Sequence, residues 1–204
     1  LKYKLKLGSY NKISDPVEFS DALTIDLYSV YHDGHMLVQY VPKNSNHHQV
    51  IESNNLQENH EDPLKKIKQA NFGIKKVEIL TGNIGYINLD HFWADPVYGK
   101  ETVKAAFQFV SNTNALIIDL RNCGGGSQEA VKIICGYFLE KPTHINDMYD
   151  RTTNTTTEYW TEPDTTFTKM TSIPLYILTN NKTFSAAEEF CYDLQSLKRA
   201  TIIG

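Results

Sequence analysis

The chain has 204 residues, 41% of them apolar and 22% charged, enough to bury one or two modest hydrophobic cores. Its 20 Lys and Arg against 24 Asp and Glu leave a formal charge of -4, and with no clustered basic stripe nucleic acid is excluded as an expected partner. No apolar run reaches the ~18 to 20 residues of a membrane span, and the opening LKYKLKLG is too short for the apolar part of a signal peptide, so a soluble piece without a transmembrane segment is expected.

In chain order, residues 15–30 place Val17, Phe19, Ala22, Leu23, Leu27 and Val30 near helical spacing, with Asp15 as N-cap and Pro16 in the first turn. His32-Asp33-Gly34-His35 breaks this helix, and MLVQYV reads as a short strand ended by Pro42. The polar, Asn-rich run that follows marks a boundary, so a first domain is expected to end with residues 1–42 and a polar linker with a short helix to occupy 43–72. The α/β core is then expected over 73–204. Within it VEILTGNIGYINLD reads as a hairpin, residues 99–110 as a helix, and ALIIDL as a strand covered on both faces. SQEAVKIICGYFLE is a second helix, residues 147–171 an irregular or hairpin-like excursion, IPLYIL a buried strand, and FSAAEEFCYDLQSL a last helix before the strand-like ATIIG. This alternation describes right-handed crossover units in a layered α/β domain.

Cys123, Cys135 and Cys191 form no C-x-x-C pair and read as small core residues. Phe92, Trp93 and Tyr98 follow a predicted strand, a place where aromatics can line a substrate pocket but are more often core, and they are assigned no role. Asn154-Thr-Thr and Asn181-Lys-Thr are formal glycosylation sequons.

Chemistry can sit in three places. Asp119-Leu120-Arg121-Asn122-Cys123-Gly124-Gly125-Gly126-Ser127 joins a strand to a helix, where backbone N–H groups favour an anion. It matches neither phosphate-loop pattern, and its bland reading is a turn that lets the helix pack closely. Thr183-Phe184-Ser185-Ala186-Ala187-Glu188 puts the Ser185 hydroxyl at the positive end of the last helix. Ser-x-x-Glu there is also a capping box, but a glycine-rich turn beside it could supply one oxyanion donor and the Ala186 N–H another. Either imidazole of the His32/His35 turn has the near-neutral basicity that a serine nucleophile needs. His47, His48, His60, His91 and His144 lie in polar or ordinary contexts, and H-x-x-H without a third ligand gives no metal site.

In their order, HDGH, DLRNCGGGS and TFSAAEEF resemble the carboxy-terminal processing (tail-specific) serine peptidase family, in its branch like the interphotoreceptor retinoid-binding protein and the tricorn core. The likeness runs from about Leu7 to Gly204, and Cys123 stands where the family pattern has Asn. It implies a small helical N-terminal domain and a ClpP/crotonase-like layered α/β core. It further implies a serine endopeptidase acting on a polypeptide substrate without a cofactor, and an extracytoplasmic location. By resemblance Ser185 is the nucleophile, His35 the general base, and Ala186 with Gly125, or Gly126 as the close second, the oxyanion donors. The alternative it leaves is a non-catalytic carrier of an apolar ligand in the same cleft.

Only about 45 residues separate HDGH from NIGYINL, too few for the PDZ module of many relatives, since independent domains seldom fall below roughly 50 residues. Glu188 and Glu189 are read as cap and solvated-face groups, and Lys182 and Lys198 as solvated. A start at Leu1 and an end directly after ATIIG predict a fragment truncated at both ends, with the third catalytic residue of the family, Glu or Lys, beyond Gly204.

Overall fold

The computed structural model describes residues 1–42, 62–93, 97–161, 166–167 and 169–204. The chain divides into two compact units, Leu1–Asn59 and His60–Gly204. Of the polar linker and short helix expected over 43–72, residues 43–61 lie outside the described residues.

In the first unit the helical spacing folds as predicted. Helix α1 is Lys2–Lys6 and α2 is Pro16–Tyr28. Asp15 caps α2, its carboxylate accepting the N–H groups of Val17 and Glu18 at 2.8 and 2.9 Å, which satisfies two donors that a helix start leaves unpaired. Tyr10 is buried, donates its hydroxyl to Asp26 and meets the Phe19 ring edge-on at 5.6 Å. The expected strand MLVQYV does not form. The Val38 N–H goes instead to the Thr24 hydroxyl of α2 at 2.8 Å: without a neighbouring strand, an apolar run satisfies its backbone on whatever acceptor lies beside it.

The second unit opens with α3 (Pro63–Gln69), capped by Asp62, and a single 3-10 turn at Asn71–Gly73. The hairpin follows as expected, β1 (Ile74–Leu80) against β2 (Ile84–Leu89), turning through Gly82 and Asn83, both at positive φ. Helix α4 (Lys100–Phe109), β3 (Ala115–Asp119), α5 (Gln128–Gly136), the hairpin β4 (His144–Asp150) and β5 (Thr155–Trp160), β6 (Leu175–Leu178), α6 (Ala186–Ser196) and β7 (Thr201–Ile203) complete it. The excursion after α5 is therefore a two-stranded antiparallel ribbon. The five-stranded sheet runs β1-β2-β3-β6-β7. Its β1 is antiparallel, and β2, β3, β6 and β7 pair in parallel, which requires the helical crossovers the sequence supplies.

The core gathers Ile87, Leu89, Leu116, Ile118 and Ile177 from the sheet with Phe107, Ile134 and Phe190 from the helices. Beyond this face the sheet is less covered than the apolar run of β3 implied: Ala115 and Ile117 are half-buried and Tyr176 is exposed. All three cysteines are free and buried. Among the described residues no helix is long and apolar enough to cross a membrane.

Helix α6 also carries two carboxylates inward, one turn apart. Glu189 accepts from Gln128 of α5 at 3.3 Å and from Asn146 of β4. Asp193 is 3% exposed and its Oδ2 has no hydrogen-bond partner among the described residues. Burial pushes Asp193 up to about 7, the neighbouring Glu189 charge adding to it. An unfolded aspartate titrates near ~3.9, so the fold holds this proton more tightly, and the stabilisation is complete below about pH 4 and lost as pH rises through about 7. Urea denaturation across that window is expected to show stability falling by roughly 2–4 kcal/mol, and Asp193→Asn is expected to flatten this part of the curve.

Candidate functional site

Two strand-to-helix turns meet at one end of the parallel sheet. The first, residues 120–127, leaves β3 at Asp119, whose side chain is nearly fully buried. Its Oδ1 accepts the Arg121 N–H and Nε at 3.1 and 2.9 Å, and its Oδ2 accepts Arg121 Nη2 at 2.7 Å and the Tyr86 hydroxyl at 2.6 Å. This two-pronged contact with Arg121 holds the carboxyl down at about 2 and fixes the direction in which the chain leaves the strand. Beyond it Gly124 donates to the Asp90 carbonyl at 3.0 Å, Phe92 to the Gly125 carbonyl at 2.7 Å and Ser127 to the Phe92 carbonyl at 2.8 Å. Residues 90–92 therefore run alongside the glycine turn as a parallel rim. Ser127 ends the turn by capping α5, accepting the Ala130 N–H at 3.1 Å.

The second turn, residues 179–185, leaves β6. Lys182 N–H donates to Asn180 Oδ1 at 2.8 Å and Asn180 N–H to the Thr183 hydroxyl at 3.0 Å. The Thr183 hydroxyl in turn donates to the Leu120 carbonyl at 2.9 Å, and Phe184 N–H donates to the Cys123 carbonyl at 3.1 Å. The two turns are thus stitched together.

Ser185 stands at the tip with φ 56° and ψ -124°, a conformation that costs an ordinary residue on the order of 1–3 kcal/mol. Of the predicted Ser-x-x-Glu box the Glu188 half is made, its carboxylate accepting the Ser185 N–H at 2.7 Å, while the Ser185 side chain makes no cap hydrogen bond. The positive φ directs Ser185 toward the glycine turn. A Cβ placed on Gly125, which has φ 97°, would lie 2.8 Å from Ser185 Cβ and 3.1 Å from the Ala186 nitrogen.

Neither the Gly126 nor the Ala186 N–H has a hydrogen-bond acceptor among the described residues, and Gly126 is exposed. Burial pushes the Cys123 thiol up to about 12, so Cys123 is a packing group and not a reactive thiolate. Four of the expected residues, Gly125, Gly126, Ser185 and Ala186, therefore stand on two turns in contact. A cavity of about 300 Å³ borders the second turn, lined by Thr179, Asn180, Thr183, Glu188 and Tyr192 among others. A larger one of about 580 Å³ between β1 and α4 includes no residue of either turn.

His35 belongs to the first unit. Its Nδ1 lies 2.8 Å from Asp33 Oδ1, which also accepts the His35 N–H at 2.9 Å. These contacts, the backbone one foremost, lower the Asp33 pKa. With the Nδ1 proton given to the carboxylate, Nε2 is the basic nitrogen. His32 meets the Tyr28 ring edge-on at 5.2 Å. Lys182 and Lys198 are exposed, as read.

Two residues on the rim of the glycine turn were assigned nothing from sequence. His91 and Trp93 stack at 4.2 Å with 17° between their planes, while Phe92 between them is 1% exposed and packs on Phe190. Period-two alternation along NLDHFW carried that signal. Of Phe92, Trp93 and Tyr98, only Phe92 is fully buried; Trp93 is half-buried and Tyr98 exposed.

A model of the family described as peptidase family S41 matches residues 83–204. Among solved structures, a candidate S41 protease from Bacteroides fragilis NCTC 9343 is 22% identical at TM-score 0.54, the match covering 65% of this chain and 38% of that one. A lipoprotein from Streptococcus agalactiae is 16% identical at TM-score 0.51, covering 68% and 52%. A candidate peptidase from Parabacteroides merdae ATCC 43184 is 23% identical at TM-score 0.48, covering 67% and 47%. The chain spans about half or less of the length of these structures, and the first two show that it shares their fold.

Gly125→Ala must push the two turns apart or strain a left-handed residue, and is expected to cost roughly 1–3 kcal/mol in urea denaturation. The Asp119 anchor has the opposite pH sign to Asp193: with a lowered folded pKa, its contribution is present above about pH 4 and lost as pH falls through about 2. Asp119→Asn is expected to lose stability at pH 7 and to remove this acid-side dependence.

Proposed function

We propose, since the chain belongs to peptidase family S41, that it hydrolyses peptide bonds of polypeptide substrates through an acyl-enzyme on Ser185. The observation that carries this reading is the contact between the Ser185 turn and the glycine turn, made possible by a residue without a Cβ at 125. In this mechanism Ser185 Oγ attacks the scissile carbonyl carbon while His35 Nε2 takes its proton. The oxygen that becomes negative is held by the Ala186 N–H and a donor from the glycine turn. Gly126, exposed and with no acceptor for its N–H among the described residues, is favoured as that donor over the buried Gly125. His35 then returns the proton to the leaving amine, and water, deprotonated by the same imidazole, releases the acyl group. The role of His35 rests on the resemblance and is supported by the Asp33 contact that sets its tautomer.

The strained backbone of Ser185 supports the same reading. A helix cap needs no positive φ, whereas a nucleophile on a sharp strand-to-helix turn is presented by one. An extracytoplasmic location belongs to this proposal, with the lipoprotein among the structural neighbours in its support.

A fluorophosphonate probe is expected to label the full-length protein, with labelling abolished in Ser185→Ala and slowed about 10²-fold or more in His35→Ala. Absent labelling of the full-length chain, or labelling that persists in Ser185→Ala, would return the site to the carrier reading.

A further inference from the structure

The rim that pairs with the glycine turn carries a feature the mechanism leaves unused. Asp90, Phe92 and the turn share three backbone hydrogen bonds of 2.7 to 3.0 Å, so residues 90–93 are as firmly placed as the turn itself. The alternation of a strand sends Phe92 into the core and its two neighbours to the other side. There the His91 imidazole and the Trp93 indole lie face to face at 4.2 Å.

The stack sits against the glycine turn. A Cβ on Gly124 would lie 3.2 Å from His91 Nε2, Asp90 Oδ2 is 2.8 Å from Lys75 Nζ, and His91 Nδ1 stands 3.3 Å from Asp90 Oδ1 without a hydrogen bond between them. The imidazole therefore borders Gly124, the neighbour of the Gly125 that approaches Ser185, yet its side chain remains 37% exposed. Two stacked rings that stay partly in water beside a reacting centre are not needed for the core, which Phe92 and Phe190 already fill.

We propose that the His91–Trp93 stack is a specificity-determining subsite of this enzyme, taking a planar aromatic side chain of the polypeptide substrate close to the scissile bond. The proposal rests on the peptidase reading and adds the substrate class. The chemistry is ring-on-ring: aromatic pairs contribute beyond their buried area, and the part of the imidazole–indole stack left in water is ring surface with little rotamer freedom to lose. Because the stack is tied to the glycine turn by backbone hydrogen bonds, it stands at a fixed offset from the donors that hold the scissile carbonyl. The preference is therefore for one position of the substrate and not for aromatic peptides in general.

The test digests a proteome-derived peptide mixture with the full-length enzyme and reads the new termini by mass spectrometry. The wild type is expected to show Phe, Tyr and Trp enriched roughly two- to tenfold at one fixed position near the cut. That enrichment is expected to vanish in Trp93→Ala, to weaken in His91→Ala and to survive in Trp93→Phe. Should Trp93→Ala fail to fold, Trp93→Leu with His91→Ala supplies the same comparison. A wild-type profile without aromatic enrichment, or one that Trp93→Ala or Trp93→Leu leaves unchanged, overturns the subsite. Fluorophosphonate labelling of the wild type separates the two failures. A protein that takes the label and cuts without aromatic preference loses only the subsite, whereas one that neither labels nor cuts removes the peptidase reading and the subsite with it.

Discussion

The site depends on the approach of one backbone to another. Strands β3 and β6 are parallel neighbours with Asp119 opposite Leu178, so the turns that follow them leave the sheet side by side. A crossing bond from Leu120 N–H to the Leu178 carbonyl at 2.9 Å begins the contact, and those from Phe184 and Thr183 continue it. At Gly125 the separation is too small for any side chain. Parallel sheets place their working loops at the carboxyl ends of the strands, and here two such loops are brought close enough for one to carry a hydroxyl and the other unbonded N–H groups.

That proximity explains how Ser185 bears its backbone conformation. A serine at φ 56° and ψ -124° is unfavourable alone, and the surrounding hydrogen bonds over-determine it. Its N–H is taken by Glu188, its carbonyl accepts from Glu188 and Glu189 at 2.8 and 3.1 Å, and the residue before it is bonded to Cys123. Capping and presentation are thus one arrangement. The Glu188 contact, half of the Ser-x-x-Glu box, holds the Ser185 backbone at the tip of the turn and leaves its hydroxyl out of the cap.

Most of the second unit was legible because its elements declare themselves by period and punctuation. The Thr-Gly-Asn hairpin, the strands ALIIDL and IPLYIL, and the helices opened by Ser127 and Ser185 all form near their expected bounds. MLVQYV misled because an apolar run signals a strand only if a partner strand exists, and Thr24 met its backbone first. DLRNCGGGS and TFSAAEEF were legible as turns, but not the 2.8 Å approach between them, since no local signal encodes the distance between two segments 60 residues apart. Nor do the letters FCYDLQ distinguish a solvated Asp193 from one turned inward against α5 and β4; that follows from which neighbours α6 acquires. HDGH showed an imidazole on a sharp turn, and the i, i+2 spacing of Asp33 and His35 held their contact in plain view.

The rim at residues 90–93 joins stability and selectivity on a single stretch of backbone. Phe92 is anchored against Phe190 of α6, the helix that Ser185 begins, and its N–H and carbonyl hold Gly125 and Ser127. A residue that looks like ordinary core is therefore the point at which the α6 helix, the glycine turn and the His91–Trp93 stack are mutually fixed. Repacking at Phe92 would shift all three together, whereas a change at the half-buried Trp93 touches the His91 stack alone. The alternation of a strand, one side inward and one side outward, separates Phe92, which fixes the glycine turn, from the two residues proposed to meet the substrate. Selectivity can then change on the outer side without loosening the geometry on which the chemistry depends.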